Sequence, residues 1–474
     1  MSGYTISPTL NKSRVFILQK SELEKRFDPF FYVPELLELE KKVLAKKPKK
    51  LRDYVKGLAS GATPKTTESE KYYAEKETGI PFLRVQNLSP TGVLEFEDCK
   101  YINEGTHNGM LKRSQVSAGD LLVKITGVGR MAVASVAPEG FEGNINQHVC
   151  VIKTGSKEIS KMLAAFLNSE IGEKLASRRS TGGTRPALDY PALLSIPIIE
   201  DKRILQITDK VTAQKQKNEA EADKLLSSID DYLLKELGIN LPEPPENTLK
   251  NRLFTRTLSD IQNKRVDPFF YQDKFINNLI AISDGKYPVK QLREIISGNL
   301  TKGSLPKQDE KDGECSVVQI NSINADGTIA LDDLLTAKNI FSKQQKLKIG
   351  DVLVVITGAT IGKIAFWNYE GDYFLGGDIV KFQTNSLSDN AFVYHFLRCS
   401  LMQTEIKRNV TGATNGHLAP EDISHLPIPV PPLDKQKEIA EHITGIRQQA
   451  QQLKDKTSEL LKKASKEIEE ILLH

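Results

Sequence analysis

The sequence predicts an α+β protein made of two tandem-repeat mixed α/β domains, each followed by a long helix, with the two helices packing as an antiparallel coiled coil of pseudo-twofold symmetry. Three observations carry that expectation: the 474-residue chain repeats itself, each copy reads as short strands and turns, and each copy ends in a long run of helical periodicity. A chain of this length also exceeds the size at which single cores stop growing, so more than one domain is required.

The repeat comes first because a missed one misassigns the whole fold. "RFDPFFY" (26–32) recurs as "RVDPFFY" (265–271), and just before them "SRVF" (13–16) recurs as "NRLF" (251–254). Next, "RVQNLSPTGVL" (84–94) pairs with "QINSINADGTI" (319–329), and "GDLLVKITGVGRMAVAS" (119–135) aligns without a gap on "GDVLVVITGATIGKIAF" (350–366). Finally "TGGTRPALDYPALLSIPI" (181–198) matches "TGATNGHLAPEDISHLPI" (411–428). These matches keep one order, which chance does not produce.

Within each copy, Asp28-Pro29 and Asp267-Pro268 predict helix starts, with Asp as N-cap and Pro at the first helical position. Apolar runs after Gly-Asp ("LLVKIT", "VLVVIT") predict strands, and Thr91-Gly92 and Asp326-Gly327 predict turns. The closing helix of the second copy places Ile439, Ile443, Ile446, Ala450, Leu453, Leu460, Ala464, Ile468 and Ile471 mostly at alternating steps of four and three, as a coiled-coil seam requires. The first copy offers Ile204, Ile207, Val211, Leu225, Ile229 and Tyr232 around a polar middle, "AQKQKNEAEAD", and stops at Gly238 before a Pro-rich linker. At about 1.5 Å per residue each helix would be on the order of 55–60 Å long. The expected boundaries are 1–199 for the first domain, 200–238 for its helix, 239–250 for the linker, 251–432 for the second domain and 433–474 for its helix.

Composition excludes several function classes. With 39% hydrophobic and 27% charged residues the chain reads as soluble and globular, and it has no apolar run near the roughly 18 residues of a membrane span. The N-terminus lacks an apolar signal core, so a cytoplasmic location without a membrane partner is expected. Cys99, Cys150, Cys315 and Cys399 form no Cys-x-x-Cys pair, which argues against a disulfide framework or a zinc site. A net charge of +4 permits nucleic acid as a partner without demanding it.

No catalytic or cofactor motif survives inspection. "ITGATIGKIAF" (356–366) looks like a phosphate-binding loop, but Gly358 and Gly362 enclose three residues where four are needed, and Ile364 stands where the Mg²⁺-binding hydroxyl belongs. "DPFF" is similar to the Asp/Asn-Pro-Pro-Tyr/Phe sequence of amino-methyltransferases, yet both copies lack the second Pro and no Gly-rich cofactor turn follows a strand. The seven histidines form no metal-ligand spacing. His148 in "NINQHVCVIK" fits a functional polar residue and a strand cap or core hydrogen-bond partner equally well. "ASRRSTGGTRPAL" (176–188) concentrates Arg178, Arg179 and Arg185 around a Thr-Gly-Gly-Thr turn, and Lys407, Arg408 and Asn409 precede the matching turn of the second copy. Basic side chains beside a flexible loop suit phosphate contact. A solvated helix end is the bland alternative, and occurrence in both copies tips the balance toward DNA.

Taken together, these residues resemble the specificity subunits of type I DNA restriction–modification systems. The matching features are Arg-x-Asp-Pro-x-Phe-Tyr, "SGATPK" (60–65) followed by "GIPFLRVQNL" (79–88), the Gly-Asp runs into "ITG", "NQHV" (146–149), "TGGTRPAL", and "LPIPVPPLDKQKEIAEHI" (426–443). The resemblance covers nearly the whole chain, twice. The second copy departs from it with "GGDIVKF" (376–382) for "NQHVCVI" and "SGNLTK" (297–302) for "SGATPK".

The resemblance implies a non-catalytic subunit, without a cofactor, whose two target-recognition domains read the halves of a split double-stranded DNA site. The helices would set the spacing, two adenine methyltransferase subunits would dock, and restriction subunits would be added for cleavage. Because 65–117 and 302–348 differ, the site should be asymmetric. The expected DNA face comprises Lys65, Arg84, Gln86, Asn87, Arg130, Arg178, Arg179 and Arg185 in the first copy. In the second it comprises Lys302, Gln319, Asn321, Lys363, Arg408 and Asn415. Arg, Asn and Gln can make bidentate base contacts, whereas Lys mostly positions the backbone. The competing expectation is a two-lobed coiled-coil scaffold that reads no DNA sequence.

Overall fold

The two apolar runs after Gly-Asp become the strands Leu121–Lys124 and Val352–Val355, and every residue of both is buried. The computed structural model describes residues 7, 10–11, 14–24, 26–241, 248, 253–257, 261, 267–307, 310–332, 334–338, 340–412 and 416–473. Ser13, Asn251, Arg252, Arg265, Val266 and most of the expected 239–250 linker therefore lie outside the described residues. The chain divides into two compact units, 1–219 with 454–474, and 220–453.

In the first unit the strand Leu121–Lys124 pairs antiparallel with Ala134–Val136 on one side and Val149–Lys153 on the other, and Gly57–Ser60 adds at the edge. Successive side chains of a strand point to opposite faces. Leu121 and Val123 accordingly enter a core with Phe166 and Leu175, while Leu122 enters a different core with Leu83 and Val149. Burial on both faces explains why the run is apolar without alternation. A second four-stranded sheet orders Lys100–Ile102, Ile80–Leu83, Glu142–Ile145 and Gln115–Ser117, its central pair parallel.

The second unit repeats the plan. Val352–Val355 lies between Ile364–Phe366 and Ile379–Phe382, with Thr301–Lys302 at the edge. Val352 and Val354 pack with Phe392, and Leu353 and Val355 pack with Trp367. The smaller sheet has three strands, Leu335–Ala337, Lys311–Val318 and Tyr373–Leu375, again with one parallel pair.

Both long helices form: Lys202–Leu237 and Leu433–Leu473. In the first unit Ile204 shares a core with Ile468 and Leu472, and Asn218 Nδ2 donates to Thr457 Oγ1 at 2.9 Å. In the second, Tyr232 lies on His442 with centroids 4.1 Å apart, and Lys435 Nζ is 2.7 Å from a Glu236 carboxylate oxygen. Within each unit one partner number rises as the other falls, so the helices run antiparallel. The polar middle of the first helix is mostly exposed, but Asn218 in it is buried and also accepts from Gln214 Nε2 at 2.7 Å. A satisfied buried amide fixes helix register at some cost in stability.

Two local expectations are revised. The "DPFFY" motifs start single 3₁₀ turns, Pro29–Tyr32 and Pro268–Tyr271, and the α-helices Pro34–Ala45 and Asp273–Ser283 follow separately. Pro34 has no N–H and holds Val33 extended, which breaks the helix that Pro29 would otherwise start. Asp267 caps its turn through Phe270 N–H at 3.0 Å, but Asp28 is taken instead by Arg26 at 2.8 Å, which holds the carboxyl below its ordinary pKa.

The Gly-Asp pair preceding each central strand has a structural purpose. Asp351 accepts from Lys348 N–H at 2.9 Å and pairs with Lys381 Nζ at 2.7 Å, the side chains being 3% and 8% exposed. Asp120 does the same with Ser117 N–H and Lys153, but Lys153 remains 39% exposed. Removing one partner of a buried pair leaves an uncompensated charge, so Asp351→Ala is expected to cost about 3–5 kcal/mol. Asp120→Ala should cost under about 2 kcal/mol, because solvent takes over the exposed ammonium; urea denaturation of the two variants measures the difference.

Candidate nucleic-acid interface

In the first unit four stretches remote in sequence converge where the strand Leu121–Lys124 ends. The Thr126-Gly127 turn leaves the strand, Gly127 N–H donates to the Pro186 carbonyl at 3.0 Å, and Leu188 N–H donates to the Ile125 carbonyl at 2.8 Å. These bonds bring the 181–187 loop alongside. Ile125 N–H donates to the His148 carbonyl at 3.0 Å, which brings in the 146–148 loop. The 61–65 loop is seated by a close approach, since a Cβ on Gly61 would lie 1.6 Å from the Ile145 carbonyl oxygen. Side chains then link the loops: the Thr63 hydroxyl bonds the Gln147 carboxamide, and Arg185 Nη2 lies 3.0 Å from His148 Nε2. Burial and the Arg185 charge lower the His148 pKa, so its ring is neutral near pH 7 and accepts this bond.

The second unit builds the same convergence with different side chains. Ile356 N–H donates to the Asp378 carbonyl and Leu418 N–H to the Ile356 carbonyl, both at 2.9 Å. A Cβ on Gly303 would lie 1.8 Å from the Gly376 carbonyl oxygen, as Gly61 does against Ile145. This corrects the pairing of 297–302 with 60–65, because Lys302 pairs with Val380 as Ser60 pairs with Cys150; at the positions matching Thr63, Gln147 and His148 therefore stand Leu305, Gly377 and Asp378. The turn that looked like a phosphate loop is part of this cluster. Its Lys363 Nζ donates to the Ile323 carbonyl at 3.1 Å, and a strand, Ile364–Phe366, follows where a phosphate loop would enter a helix.

The sequence-predicted residues divide into three groups. Lys65 and Arg185 are exposed on the converging loops, Lys65 with its Nζ 3.6 Å from Glu68. Gln86 and Asn321 are exposed on the turns that leave the strands Ile80–Leu83 and Lys311–Val318, Arg84 and Gln319 are half-buried there, and Lys302 is exposed at the sheet edge. Arg84 gives Nη2 to the Asp98 carbonyl at 2.6 Å. Lys363 is half-buried on its turn. Asn415 lies outside the described residues.

The third group is corrected, because the fold consumes these side chains. Asn87 is 1% exposed and holds its own turn, accepting from Arg84 N–H at 2.8 Å and donating to the Glu95 carbonyl at 2.9 Å. Arg130 donates to the Asn168 and Ser169 carbonyls between two helices, and burial lowers its pKa. Arg178 and Arg179 are buried against Glu40, burial pulling both down to about 10, so they stay charged near pH 7. Arg178 Nε donates to the Phe31 carbonyl at 2.8 Å, and its guanidinium sits 3.9 Å from the Phe31 ring centroid. Arg408 repeats this on Phe270, at 2.8 Å and 4.0 Å, paired with Glu405 at 2.8 Å.

The repeated arginines therefore lock the "DPFFY" turns onto the base of the Thr-Gly loops. Arg26 completes the lock in the first unit, donating to the Arg179 and Ser180 carbonyls at 2.9 Å each. Sequence reasoning selected Lys65 from "SGATPK" and left His148 open, but it missed Thr63 and Gln147. Their signal was membership of motifs that the structure brings together.

Fold and loop clusters define a duplicated α/β protein in which each unit carries one loop convergence and parts of both long helices. Residues 285–469 match the family described as "Type I restriction modification DNA specificity domain". The type I restriction enzyme EcoKI specificity subunit of Escherichia coli (strain K12) is 24% identical over 170 residues, 35% of this chain and 37% of that subunit. The StySPI specificity subunit of Salmonella potsdam is 20% identical over 176 residues, 36% of this chain and 38% of that one. The match thus spans well under half the length of either relative. The S subunit of a type I restriction-modification system from M. genitalium is similar over 90% of this chain and 94% of its own, with 13% identity and a TM-score of 0.42.

Gly61→Ala is expected to destabilise the first unit by about 1–3 kcal/mol, since a side chain there must displace backbone. Gly183→Ala, whose added Cβ meets nothing within 4 Å, serves as control and should stay within about 1 kcal/mol of the parent in the same thermal melts.

Proposed function

We propose that this chain is the non-catalytic DNA-specificity subunit of a type I restriction–modification complex. Each unit reads one part of a bipartite, asymmetric double-stranded site, and the chain directs two adenine methyltransferase subunits, with restriction subunits for cleavage, to that site in the cytoplasm. No cofactor is assigned to the chain itself. The functional division follows the boundaries 1–199, 200–238, 239–250, 251–432 and 433–474.

One observation carries this reading: the same loop convergence recurs in both units but presents different side chains, in a chain whose residues 285–469 match the type I DNA specificity family. A common backbone frame suits the regular phosphate backbone of DNA, while differing side chains suit two different half-sites. The revised DNA face is Lys65, Arg84, Gln86 and Arg185 in the first unit, and Lys302, Gln319, Asn321, Lys363 and Asn415 in the second. The modest charge of +4 is compatible with it, because partner subunits that enclose DNA share the phosphate neutralisation.

The test is a methylation map. The chain is expressed with the adenine methyltransferase subunit encoded beside it in an unmethylated host, and the DNA is sequenced with modification-sensitive long reads. A split, asymmetric motif that disappears when this chain is omitted is the expected result; no motif with an intact partner would favour the coiled-coil scaffold.

The helices offer an independent test. One heptad inserted after Glu219 and another after Leu453 lengthen each helix by about 10 Å. The gap between the half-sites should grow by about three base pairs at 3.4 Å each while the half-sites keep their identities. An unchanged gap would mean that the helices are not the ruler.

A further inference from the structure

We propose that His148 is a positioning residue that aims Arg185 at a DNA phosphate in the first half-site while leaving its charge intact. The inference rests on the DNA-specificity reading. Its foundation is the meeting of two loops, both tied to the end of one strand: His148 through Ile125 N–H at 3.0 Å, and the 181–187 loop through Gly127 N–H at 3.0 Å and the Ile125 carbonyl at 2.8 Å. The His148 backbone is further fixed by Asn146 Oδ1, which accepts its N–H at 3.1 Å. Thr181 and Ala187 exchange two backbone hydrogen bonds of 2.8 Å, closing the loop that carries Arg185. The 3.0 Å contact between the side chains thus joins two loops whose backbones are tied to the same strand end.

Three points assign the purpose. Arg178, Arg179 and Arg130 are spent on the fold, whereas Arg185 is exposed and pairs with no carboxylate among the described residues. A guanidinium has five N–H donors, and the contact with His148 uses one. His148 is also an uncharged acceptor. A carboxylate in its place would orient Arg185 equally well and neutralise it, which is useless for a group meant to meet an oxyanion. The backbone pair that closes the loop beneath Arg185, Thr181 with Ala187, recurs in the second unit as Thr411 with His417, and a backbone frame common to both units suits the feature that any two half-sites share. That feature is the phosphate backbone.

The experiment measures DNA binding by the complete complex with its methyltransferase subunits, across a salt series, for duplexes carrying the mapped motif. Arg185→Ala should weaken binding about five- to tenfold and reduce the slope of log affinity against log salt by about one, as loss of one phosphate contact does. His148→Ala should weaken binding about threefold, and the double variant should match Arg185→Ala. His148→Gln, which keeps an acceptor near Nε2, should bind like the parent. His148→Asp should resemble Arg185→Ala in both affinity and slope.

Multiplicative losses in the double variant, or parental binding by His148→Asp, would overturn the positioning role. An unchanged salt slope for Arg185→Ala, with one motif position relaxed in the methylation map, would make Arg185 a base reader and overturn the phosphate assignment. Failure of the parent complex to show any motif would instead count against the specificity reading. Urea midpoints of all the variants should equal that of the parent, since neither side chain is buried; a lowered midpoint for His148→Gln would overturn the inference in favour of a structural contact.

Discussion

The constraint on which both units depend is the burial of one strand on both faces. Leu121–Lys124 and Val352–Val355 each send alternate side chains into two separate cores, so each strand joins the helical half of its unit to the second sheet. Each fully buried Leu or Val contributes about 1.5–3 kcal/mol, which makes these four-residue strands stiff for their length. Their ends emerge from that clamp into the Thr-Gly turns, and the other loops hang on the backbone groups that protrude there. Precision at the candidate interface is thus inherited from the core.

Much of this was legible in the sequence. The duplication, the strand runs and the paired helices follow from periodicity and from motif order, which are local or directly comparable signals. Arg178, Arg179 and Arg408 were misread for the opposite reason. An arginine at a helix end before a Gly-rich turn has the same local pattern whether it faces solvent or the interior. What turns Arg178 inward is Glu40 and the Phe31 carbonyl, more than a hundred residues away in the chain. Asn87 illustrates the same limit: its type suits base reading, yet it closes a turn by bonding backbone on both sides.

The two units reach the same lock by different electrostatics. In the first, the counter-charge to Arg178 comes from Glu40 on the helix Pro34–Ala45, together with a second arginine, Arg179. In the second, Arg408 takes its partner from its own helix, at Glu405, and Asn409 occupies the place of Arg179 and donates to the Glu405 carbonyl at 2.9 Å. The guanidinium stacked on phenylalanine is the invariant part of the device, since it combines a hydrogen bond to a carbonyl with a favourable ring contact. The carboxylate is interchangeable so long as the buried charge is met.

The first unit is discontinuous in the chain, because Ile468 and Leu472 complete the core that Ile204 and Phe166 begin. During synthesis, that core must wait for a segment translated some 250 residues after its own last helix begins, at the several residues per second of a ribosome. The second unit, contiguous from 220 to 453, has its whole sequence available earlier. The order of maturation on the ribosome is then the reverse of the order of synthesis: the unit made first is finished last, and an incompletely translated chain carries an unfinished first unit.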